Sequence, residues 1–482
     1  MPVGTSRRAC LFPREVTALP LQKNQIIPLT ITGTTALGSG VGRFVSEEYP
    51  GGFVVFVPQT AVGDEIDCRI LRVEKQHAFG KVAHIRTPSP DRLPSVDCPV
   101  FGQCGGCAWR HVTYEAELRY KAQHVADCMK RIGGIEVSCD PIVGCEQADG
   151  YRNKAQYPVA AGEEGVRVGF FAPRSHRLIE QRDCRLQPQV FREILDKIAA
   201  WADEYAVSIY DETTGQGLLR HIYIRQAEAT GQLMTCLVCT SGKLPHVPEL
   251  LGSLTAVPGM TSIMVNVNAR DTNVVLGDRE FTLWGQDAIT DILCGRHIRL
   301  SPRSFYQVNR RQAQRLYTIA ADAAHLSGTE TLLDLYCGTG TIGLSMADRV
   351  KTLIGVEIVP AAVEDARRNA EQNGIANARF LCADAGRAAA QLAAEGVQPD
   401  VVILDPPRKG CDLALIQTVA QRMSPHKIVY VSCAPATLAR DLGEFARLGY
   451  ETARITPVDM FPRTAHVETV VLMTKKQPNR SL

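Results

Sequence analysis

Short runs of alternating apolar and polar residues follow one another along residues 23–87, and clusters of Gly, Asn and Pro separate them. Alternation with a period of two is typical of strands that bury one face. The runs begin at Ile26, Gly38, Gly52, Asp64 and Lys81. They predict a small β-barrel of the oligonucleotide-binding kind, although the pattern fits any other small β-barrel as well. Nucleic-acid binding is therefore one of two open interpretations of this segment.

The following segment, residues 88–300, combines several kinds of pattern. Residues 88–94 are rich in proline and predict a linker, and residues 114–132 predict a helix. Strands and turns follow, with basic residues beside apolar ones at residues 152–154 and 218–225. We therefore expect a central α+β domain.

From Thr331 onward, apolar runs alternate with amphipathic stretches. The runs cover residues 332–336, 352–356, 379–382, 401–404 and 428–431. Pro360 stands at a plausible first helical position, and Gly374 follows the end of the same helix. This rhythm predicts an α/β fold over residues 301–482, a doubly wound parallel sheet that binds its ligand at the carboxyl ends of the strands. Apolar stretches around Arg454 and at residues 467–473 favour an antiparallel pair at the edge.

Composition and charge narrow the class of protein. A chain of 482 residues predicts roughly two to four domains, and its 45% apolar and 22% charged residues are typical of a globular protein. We see no signal peptide and no membrane-spanning run, so we expect a cytoplasmic protein with no membrane partner and no obligate protein partner. The net charge of +2 does not support a nucleic-acid partner unless a local basic face exists. Residues 1–22 are uninformative, and we expect them to be partly disordered.

The chain contains 16 cysteines, which in a reducing compartment are thiols, metal ligands or nucleophiles. Cys98, Cys104 and Cys107 lie close together among glycines, and Cys184 is a distant fourth thiol. Four thiolates suit either zinc or an iron–sulfur cluster, and the spacing alone does not choose between them.

Four other cysteines are expected to be structural. Cys236 and Cys239 have the spacing of a metal-binding pair, but they lie in an apolar run that predicts a strand, and no second pair accompanies them. We expect no metal there. Cys337 and Cys382 are expected to be core residues beside the strands of the parallel sheet.

A glycine-rich loop follows the first strand of that predicted sheet. Gly338, Gly340 and Gly343 form the pattern GxGxxG, and Glu357 ends the next strand. Such glycines let the backbone approach a nucleotide cofactor, and the acid takes the ribose hydroxyls. A nicotinamide dehydrogenase would show the same pattern. Three further acids, Asp334, Asp384 and Asp405, favour S-adenosylmethionine, since acids suit a cationic sulfonium that carries an amino group.

A thiol and a carboxylate stand near the end of the chain. Cys433 follows a predicted strand and precedes Pro435, and Glu468 follows His466 after one residue. This pair suits an enzyme that attacks its substrate with sulfur and later removes a proton. We expect the N-terminus of the following helix to lower the pKa of the Cys433 thiol. The alternative interpretation of Cys433 is a small buried apolar residue, the usual role of a free cysteine.

Several of these motifs, in their order along the chain, resemble the RNA uracil-C5 methyltransferase family. They are Ser304-Phe-Tyr-Gln307-Val-Asn309, Asp334-x-Tyr-Cys-Gly-x-Gly340, Asp405-Pro-Pro-Arg408-Lys-Gly410, Ser432-Cys433 and His466-Val-Glu468. The segment 23–87 resembles the TRAM domain of that family. The resemblance extends from about residue 23 to residue 475, and one departure is Ala434, where the family commonly has Asn or Asp.

The resemblance implies a mechanism and a set of site residues. Cys433 would add to C6 of uracil, which makes C5 reactive toward the methyl donor, and Glu468 would then remove the C5 proton. His466 is expected to be structural or RNA-facing. The resemblance also implies cofactor contacts from Gln307, Tyr336, Thr341, Glu357, Asp384 and Asp405.

One branch of the family carries a [4Fe–4S] cluster on the spacing of Cys98, Cys104, Cys107 and Cys184, whereas its transfer RNA-modifying relatives lack the cluster and the barrel. We therefore expect a 23S ribosomal RNA methyltransferase that uses S-adenosylmethionine and carries a [4Fe–4S] cluster. A transfer RNA uracil methyltransferase is the alternative within the class. Two alternatives belong to other classes of protein: a non-catalytic RNA-binding iron–sulfur protein and a nicotinamide oxidoreductase.

Overall fold

The computed structural model describes residues 21–47 and 49–476. It forms two compact units, one ending at Arg92 and the other beginning at Leu93. Of the segment 1–22, for which we predicted partial disorder, all but the last two residues lie outside the described part of the chain. No helix in the described ranges is long and apolar enough to cross a membrane.

The first unit is a closed five-stranded barrel, which confirms the prediction. Its strands are β1 (Ile26–Thr34), β2 (Gly40–Ser46), β3 (Tyr49–Val57), β4 (Glu65–Val73) and β5 (His77–Thr87). They close in the order β1-β2-β3-β5-β4, and only β3 and β5 run parallel. Alternate apolar side chains such as Ile27, Val55 and Ile66 fill the interior, as a period of two requires.

The predicted linker begins as part of the barrel. Asp64 is fully buried and accepts hydrogen bonds from the amides of Ala61 and Ser89, at 2.7 and 2.9 Å. Arg92 Nε lies 2.8 Å from the same carboxylate. Burial raises the pKa of Asp64, but these donors outweigh it and hold the pKa below its ordinary value. The chain after β5 is thereby fixed to the barrel.

The second unit opens with a helix and a seven-stranded sheet. The elements are α1 (Tyr114–Arg131), β6 (Lys154–Gly162), β7 (Gly165–Phe171), β8 (Leu178–Glu180), α2 (Gln189–Glu204), β9 (Leu219–Gln226), β10 (Leu233–Cys239), α3 (Val247–Thr255), β11 (Met260–Val267) and β12 (Arg279–Gly285). The strand order is β12-β11-β10-β9-β6-β7-β8. Cys236 and Cys239 lie in β10 as predicted, and they belong to different hydrophobic clusters because alternate side chains of a strand face opposite ways.

A hairpin and a second seven-stranded sheet complete the chain. The elements are β13 (Ile289–Leu293), β14 (Arg296–Leu300), α4 (Arg310–Ala324), β15 (Thr331–Leu335), α5 (Thr341–Ser345), β16 (Thr352–Glu357), α6 (Pro360–Gln372), β17 (Ala378–Cys382), α7 (Ala385–Ala394), β18 (Val401–Leu404), α8 (Leu413–Gln417), β19 (Lys427–Ser432), α9 (Pro435–Arg447), β20 (Tyr450–Val458) and β21 (Glu468–Lys475). The order is β17-β16-β15-β18-β19-β21-β20. The first five strands in this order are parallel, and β21 lies antiparallel to both of its neighbours. The parallel sheet and its antiparallel edge pair are confirmed.

The two sheets of the second unit share a core. Tyr223, Met234 and Met264 of the central sheet belong to the same hydrophobic cluster as Leu332 and Val429 of the parallel sheet. Helix α1 packs on the opposite side, where its Val125 and Met129 join the cluster formed with α7 and α9. The segments before and after residue 300 are thus one compact unit, and the boundary drawn there stays a prediction.

Candidate active site

The carboxyl edge of the parallel sheet holds the glycine-rich loop between β15 and α5. The Gly338 amide donates to Glu357 Oε2 at 3.1 Å, and the Gly343 amide donates to Asp334 Oδ2 at 2.9 Å. A Cβ on Gly343 would lie 2.8 Å from that same oxygen, so only glycine allows the approach. The loop is therefore held by the two acids that flank it in the sequence.

Asp334 has an unusual environment for a carboxyl group. It is 1% exposed, and its Oδ1 atom has no hydrogen-bond partner in the described structure. Burial raises its pKa to about 7, with Asp405 and Glu357 adding to the rise. A buried carboxyl oxygen without a donor favours a cationic or hydrogen-bonding ligand nearby. The loop therefore fits a cofactor that carries an amino group and a sulfonium.

Three other predicted cofactor residues, Tyr336, Thr341 and Asp384, lie in loops or at helix starts that follow strands of the parallel sheet. Tyr336 has a left-handed backbone with φ 66° directly after β15, and the Tyr317 hydroxyl lies 3.1 Å from Thr341 Oγ1. Asp384 caps α7 by accepting from the Arg387 amide at 3.1 Å. Tyr336 and Thr341 follow β15 and Asp384 follows β17, at the carboxyl ends of strands in the same parallel sheet, where ligands of such sheets bind.

Gln307 reaches the same region from a different segment. The Asn153 side chain donates to the Gln307 carbonyl at 2.9 Å, which ties the loop before α4 to the start of β6. Fully buried Arg225 of β9 donates to the carbonyls of Ser301 and Ser304, at 2.7 and 2.8 Å. The central sheet thus holds the segment that carries Gln307, a role that the sequence patterns had not indicated.

Strand pairing brings the predicted nucleophile and base together. Cys433 directly follows β19, Glu468 begins β21, and these strands pair with Ser432 opposite Thr469. Cys433 and Glu468 are therefore neighbours across the antiparallel pair, although 34 residues separate them in sequence. Asp405 directly follows β18, the next strand of the sheet.

Burial raises the pKa of both carboxyl groups, Glu468 and Asp405. Burial raises the pKa of Glu468, which is 5% exposed, to about 8, and the Asp405 charge adds to the effect. Burial also raises the pKa of Asp405 to about 7. Two carboxyls that share a poorly hydrated site favour proton retention. The site is suited to accepting a proton near neutral pH.

The Cys433 thiol does not behave as the sequence predicted. Burial raises its pKa, Glu468 and Asp405 raise it further, and the hydrogen-bonded Arg408 guanidinium opposes the rise. The predicted lowering of the Cys433 pKa is therefore wrong, because burial and two neighbouring acids raise it. Arg408 is the group that offsets this effect.

Ala434, the departure from the family pattern, occupies the N-cap of α9. It provides no side-chain hydrogen bond to the first turn of the helix. The Ala434 amide donates to Ser432 Oγ at 3.1 Å, and Thr437 Oγ1 donates to the Ala434 carbonyl, also at 3.1 Å. The loop after Cys433 is thus held by hydroxyls on either side, while the N-terminal amides of α9 have no cap from residue 434.

Asp441 holds the loop after Asp405 against α9. It is fully buried and accepts from the Tyr430 hydroxyl at 2.6 Å and from the Cys411 amide at 2.8 Å. Arg440 Nε also donates to it, at 2.8 Å. A single carboxylate thus joins three elements, and the sequence analysis did not single it out.

A buried charge network fixes the segment that leads to Glu468. Lys121 Nζ of α1 lies 2.7 Å from Glu117 Oε1 and 2.6 Å from Asp459 Oδ1, and all three side chains are fully buried. Lys121 Nζ also donates to the Phe461 carbonyl at 3.2 Å, and the Arg463 amide donates to Glu117 Oε1 at 2.7 Å. Sequence reasoning missed this network, since its members are more than 330 residues apart.

The four predicted cluster cysteines come together in the second unit. Cys98, Cys104, Cys107 and Cys184 are half-buried. Burial raises the pKa of Cys107 to about 12, Arg110 opposes the rise, and the other three thiols add to it, so the four are close enough to interact. Residues 21–47 and 49–476 nevertheless contain no group of three or more His, Cys, Asp or Glu side chains arranged to hold a metal ion.

The arrangement of the thiols therefore does not by itself show a metal site, whether for zinc or for an iron–sulfur cluster. The two remaining predicted core cysteines differ from each other. Cys337 is buried, as expected, whereas Cys382 is exposed. The prediction for Cys382 is wrong because this residue ends β17, a strand at the edge of the sheet, where its side chain is exposed.

The parallel sheet with its glycine-rich loop defines an α/β methyltransferase, and comparisons with known proteins specify the family. A model described as tRNA (Uracil-5-)-methyltransferase matches residues 286–476, and the TRAM domain model matches residues 20–83. An uncharacterized RNA methyltransferase of Clostridium tetani is 42% identical over 95% of this chain and 98% of its own. One of Halalkalibacterium halodurans is also 42% identical, with the same coverage. The chain belongs to the RNA uracil-C5 methyltransferase family, with an N-terminal TRAM domain.

A solved structure adds a correction. The Pyrococcus abyssi tRNA (uracil-54, C5)-methyltransferase, in complex with S-adenosyl-L-homocysteine, superposes with a TM-score of 0.74 at 28% identity. The match covers 93% of this chain and 100% of that one. The uncovered part is shorter than the barrel segment 23–87, so at least part of the barrel has a counterpart in a transfer RNA enzyme. From the resemblance we had expected the barrel to argue against a transfer RNA substrate. This expectation is wrong, because a transfer RNA enzyme has at least part of the barrel too.

Proposed function

We propose that this protein methylates C5 of uridine in RNA, with Cys433 as nucleophile and Glu468 as base. The observation that carries the proposal is the strand register that sets Ser432 opposite Thr469, because it brings the thiol and the carboxyl to one edge of the sheet. The family to which the chain belongs supplies the reaction class.

The residues divide the chemistry between them. The Cys433 sulfur adds to C6 of the uracil ring, which leaves C5 electron-rich. Glu468 later accepts the C5 proton, and the sulfur then leaves. A base whose pKa lies near neutral pH is suited to this work, and that of Glu468 is about 8. Arg408, hydrogen-bonded to the thiol, favours the thiolate that must form before addition.

S-adenosylmethionine supplies the methyl group in this proposal. Gln307, Tyr336, Thr341, Glu357, Asp384 and Asp405 are the residues that would hold it. The unpartnered oxygen of Asp334, beside the glycine-rich loop, supports a ligand with donors and positive charge. The related Pyrococcus abyssi enzyme was solved with S-adenosyl-L-homocysteine, the demethylated form of this cofactor.

Cys98, Cys104, Cys107 and Cys184 are proposed to hold a [4Fe–4S] cluster. The closeness of the four thiols, seen in the effect of the other three on the pKa of Cys107, supports a shared metal group, and the spacing that resembles one branch of the family supports the cluster. The cluster is expected to be structural, since the methyl chemistry transfers no electrons. Protein purified without oxygen should be brown and contain about four iron and four sulfide per chain. A colourless protein with one zinc would contradict the assignment.

The substrate is proposed to be 23S ribosomal RNA, on the resemblance of the four-cysteine spacing. Transfer RNA is the second candidate, and a specific observation favours it: the match to a tRNA enzyme that covers 93% of this chain.

Transfer of tritium from methyl-labelled S-adenosylmethionine to separated ribosomal and transfer RNA tests the reaction and the substrate together. Label as 5-methyluridine in 23S RNA supports the first candidate, and label in transfer RNA alone supports the second. No label in any RNA would overturn the proposed function. Mapping 5-methyluridine in a deletion strain would identify the uridine.

A further inference from the structure

Three aromatic rings lie together on the outer surface of the barrel. Because β3 pairs in parallel with β5, Phe56 stands beside Phe79, and His77 is the next outward residue of β5. The ring centroids are 5.4 Å apart for Phe56 and His77, 5.7 Å for Phe56 and Phe79, and 5.1 Å for His77 and Phe79. Phe79 is 36% exposed. We call these three rings the aromatic face.

Positive charges border the aromatic face on its β4 side. The Arg72 guanidinium lies 5.2 Å from the centroid of Phe79, in stacking range. Further along the two strands, Arg69 of β4 stands directly opposite Lys81 of β5, and both are exposed. The nearby acid Glu74 is already paired with Arg72, at 2.8 Å.

The pair formed by Arg69 and Lys81 is unfavourable by itself. Like charges directly opposite each other in a sheet repel. Asp67, the nearest outward acid along β4, is engaged by Arg86 at 2.6 Å, and neither Arg69 nor Lys81 has an ion-pair partner among the described residues. An anion placed between the two cations would relieve this repulsion.

Rings and cations together specify one kind of partner. Exposed rings favour flat apolar groups, and the two opposed cations favour phosphate; single-stranded nucleic acid presents both at every nucleotide. A duplex hides the faces of its bases, and an acidic protein segment offers charge without flat rings. We propose that the β4–β5 surface of the barrel binds single-stranded RNA, with a base stacked on Phe79 and a phosphate between Arg69 and Lys81. The inference rests on the proposed function, since it names the surface that would hold that RNA.

Binding of the full chain to a fluorescein-labelled single-stranded oligouridine, followed by fluorescence anisotropy, tests the stacking. Phe79→Ala and Phe79→Leu should each weaken binding about fivefold or more, because stacking on an aromatic ring is lost while Leu keeps apolar bulk. Val45→Ala is the matched control, since Val45 is 62% exposed on β2, a strand that neighbours neither β4 nor β5 in the barrel. Thermal unfolding checks that each variant is folded. Parent affinity in a folded Phe79→Leu protein would overturn the inference.

The dependence on salt separates stacking from charge. Arg69→Gln and Lys81→Gln should lower the slope of log affinity against log salt, by about 0.7 for each phosphate of a single strand that the variant no longer neutralises. Phe79→Leu should reduce affinity by the same factor at every salt concentration. Equal affinity for an RNA duplex, or displacement of the oligouridine by polyglutamate at equal charge, would contradict a single-strand surface.

The methyl-transfer assay keeps the two proposals apart. If the parent protein labels RNA but Phe79 variants bind oligouridine like the parent, only the inference about the barrel fails. If the parent labels no RNA while the Phe79 and Arg69 variants lose binding as described, the proposed function fails and the RNA surface stands.

Discussion

Charged groups have opposite surroundings on the barrel surface and at the carboxyl edge of the parallel sheet. Arg69 and Lys81 of the barrel are exposed, so water and salt screen their charges. Glu468 at the sheet edge is 5% exposed, and burial raises its pKa to about 8. Glu468, Arg408 and Asp405 all act on the pKa of Cys433 there. We therefore expect the barrel to respond to salt and to single substitutions additively, whereas the sheet edge responds to pH and as a unit.

Substitutions at the sheet edge should have the largest effects on turnover, and they are the strongest test of the difference between the sheet edge and the barrel surface. Cys433→Ala should remove detectable turnover and form no bond to RNA, because the ring is never activated. Glu468→Gln should lower turnover by at least about 10²-fold and accumulate a methylated covalent adduct, since sulfur adds first and proton removal comes last. Denaturing gels with labelled RNA and labelled methyl donor distinguish these outcomes.

Cys139→Ala is the matched control for these variants, because Cys139 is also a half-buried thiol and lies outside the site. It should keep parent turnover, and all three variants should keep parent affinity for oligouridine. An adduct in the Cys433→Ala protein, or normal turnover in Glu468→Gln, would show that the roles are assigned wrongly.

The buried network behind the sheet edge should give the next largest effect. Lys121→Met leaves Asp459 buried without its cation and Glu117 with only Arg463, at 3.8 Å, which should lower the free energy of unfolding by about 3–5 kcal/mol. Adding Glu117→Gln and Asp459→Asn should recover part of that loss, because the uncompensated charges are removed. Chemical denaturation measures both changes.

Lys130→Met on the same helix is exposed and should change the free energy of unfolding by less than about 0.5 kcal/mol. If Lys121→Met were equally mild, the network would not be what holds the segment that leads to Glu468.

The raised pKa of Glu468 predicts a dependence of stability on pH. An unfolded glutamate loses its proton near its ordinary pKa of 4.5, whereas the folded protein retains that proton until about pH 8. Between these values the folded state binds more protons, so its stability falls as pH rises. Glu468→Gln should therefore stabilise the protein relative to the parent, by on the order of 3 kcal/mol at pH 8 and far less at pH 5.

Denaturant unfolding of parent and variant at several pH values tests this directly. Turnover of the parent should also rise as pH approaches 8, since only the ionised carboxyl accepts a proton. A stability difference that does not change with pH would mean that the Glu468 pKa is ordinary, and the contrast with the barrel would weaken.

The smallest predicted effect concerns Ala434 at the N-cap of α9. Ala434→Asn should cap the free amides of the helix and raise the free energy of unfolding by about 1 kcal/mol. Ala436→Asn, further into the same helix, should not stabilise the protein, because an asparagine inside the first turn is no longer placed to cap those amides. Thermal or chemical unfolding that showed no gain for Ala434→Asn would indicate that the hydroxyls of Ser432 and Thr437 already complete this loop.

Much of the fold could be predicted because it follows from local patterns. A period of two in residues 26–87 produced the five barrel strands, and apolar runs after Thr331 produced the parallel strands. Pro360 begins α6 as predicted, since proline suits the first helical turn. The positions of Cys433 and Glu468 were also evident from sequence motifs, because each directly follows or begins a strand.

What the sequence by itself determined, then, was the identity and order of the elements and the residues at their ends. Only the tertiary structure decided which segments contact each other and how those contacts change the pKa values and ion pairs of the residues involved. The pKa of Cys433 is raised rather than lowered, since the fold buries the thiol beside two acids, Glu468 and Asp405, that belong to other parts of the chain. Lys121 forms a buried ion pair with Asp459, although more than 330 residues separate the two in the sequence. Periodicity and motifs report on neighbours along the chain, whereas protonation and buried ion pairs depend on neighbours in space, which no local pattern encodes.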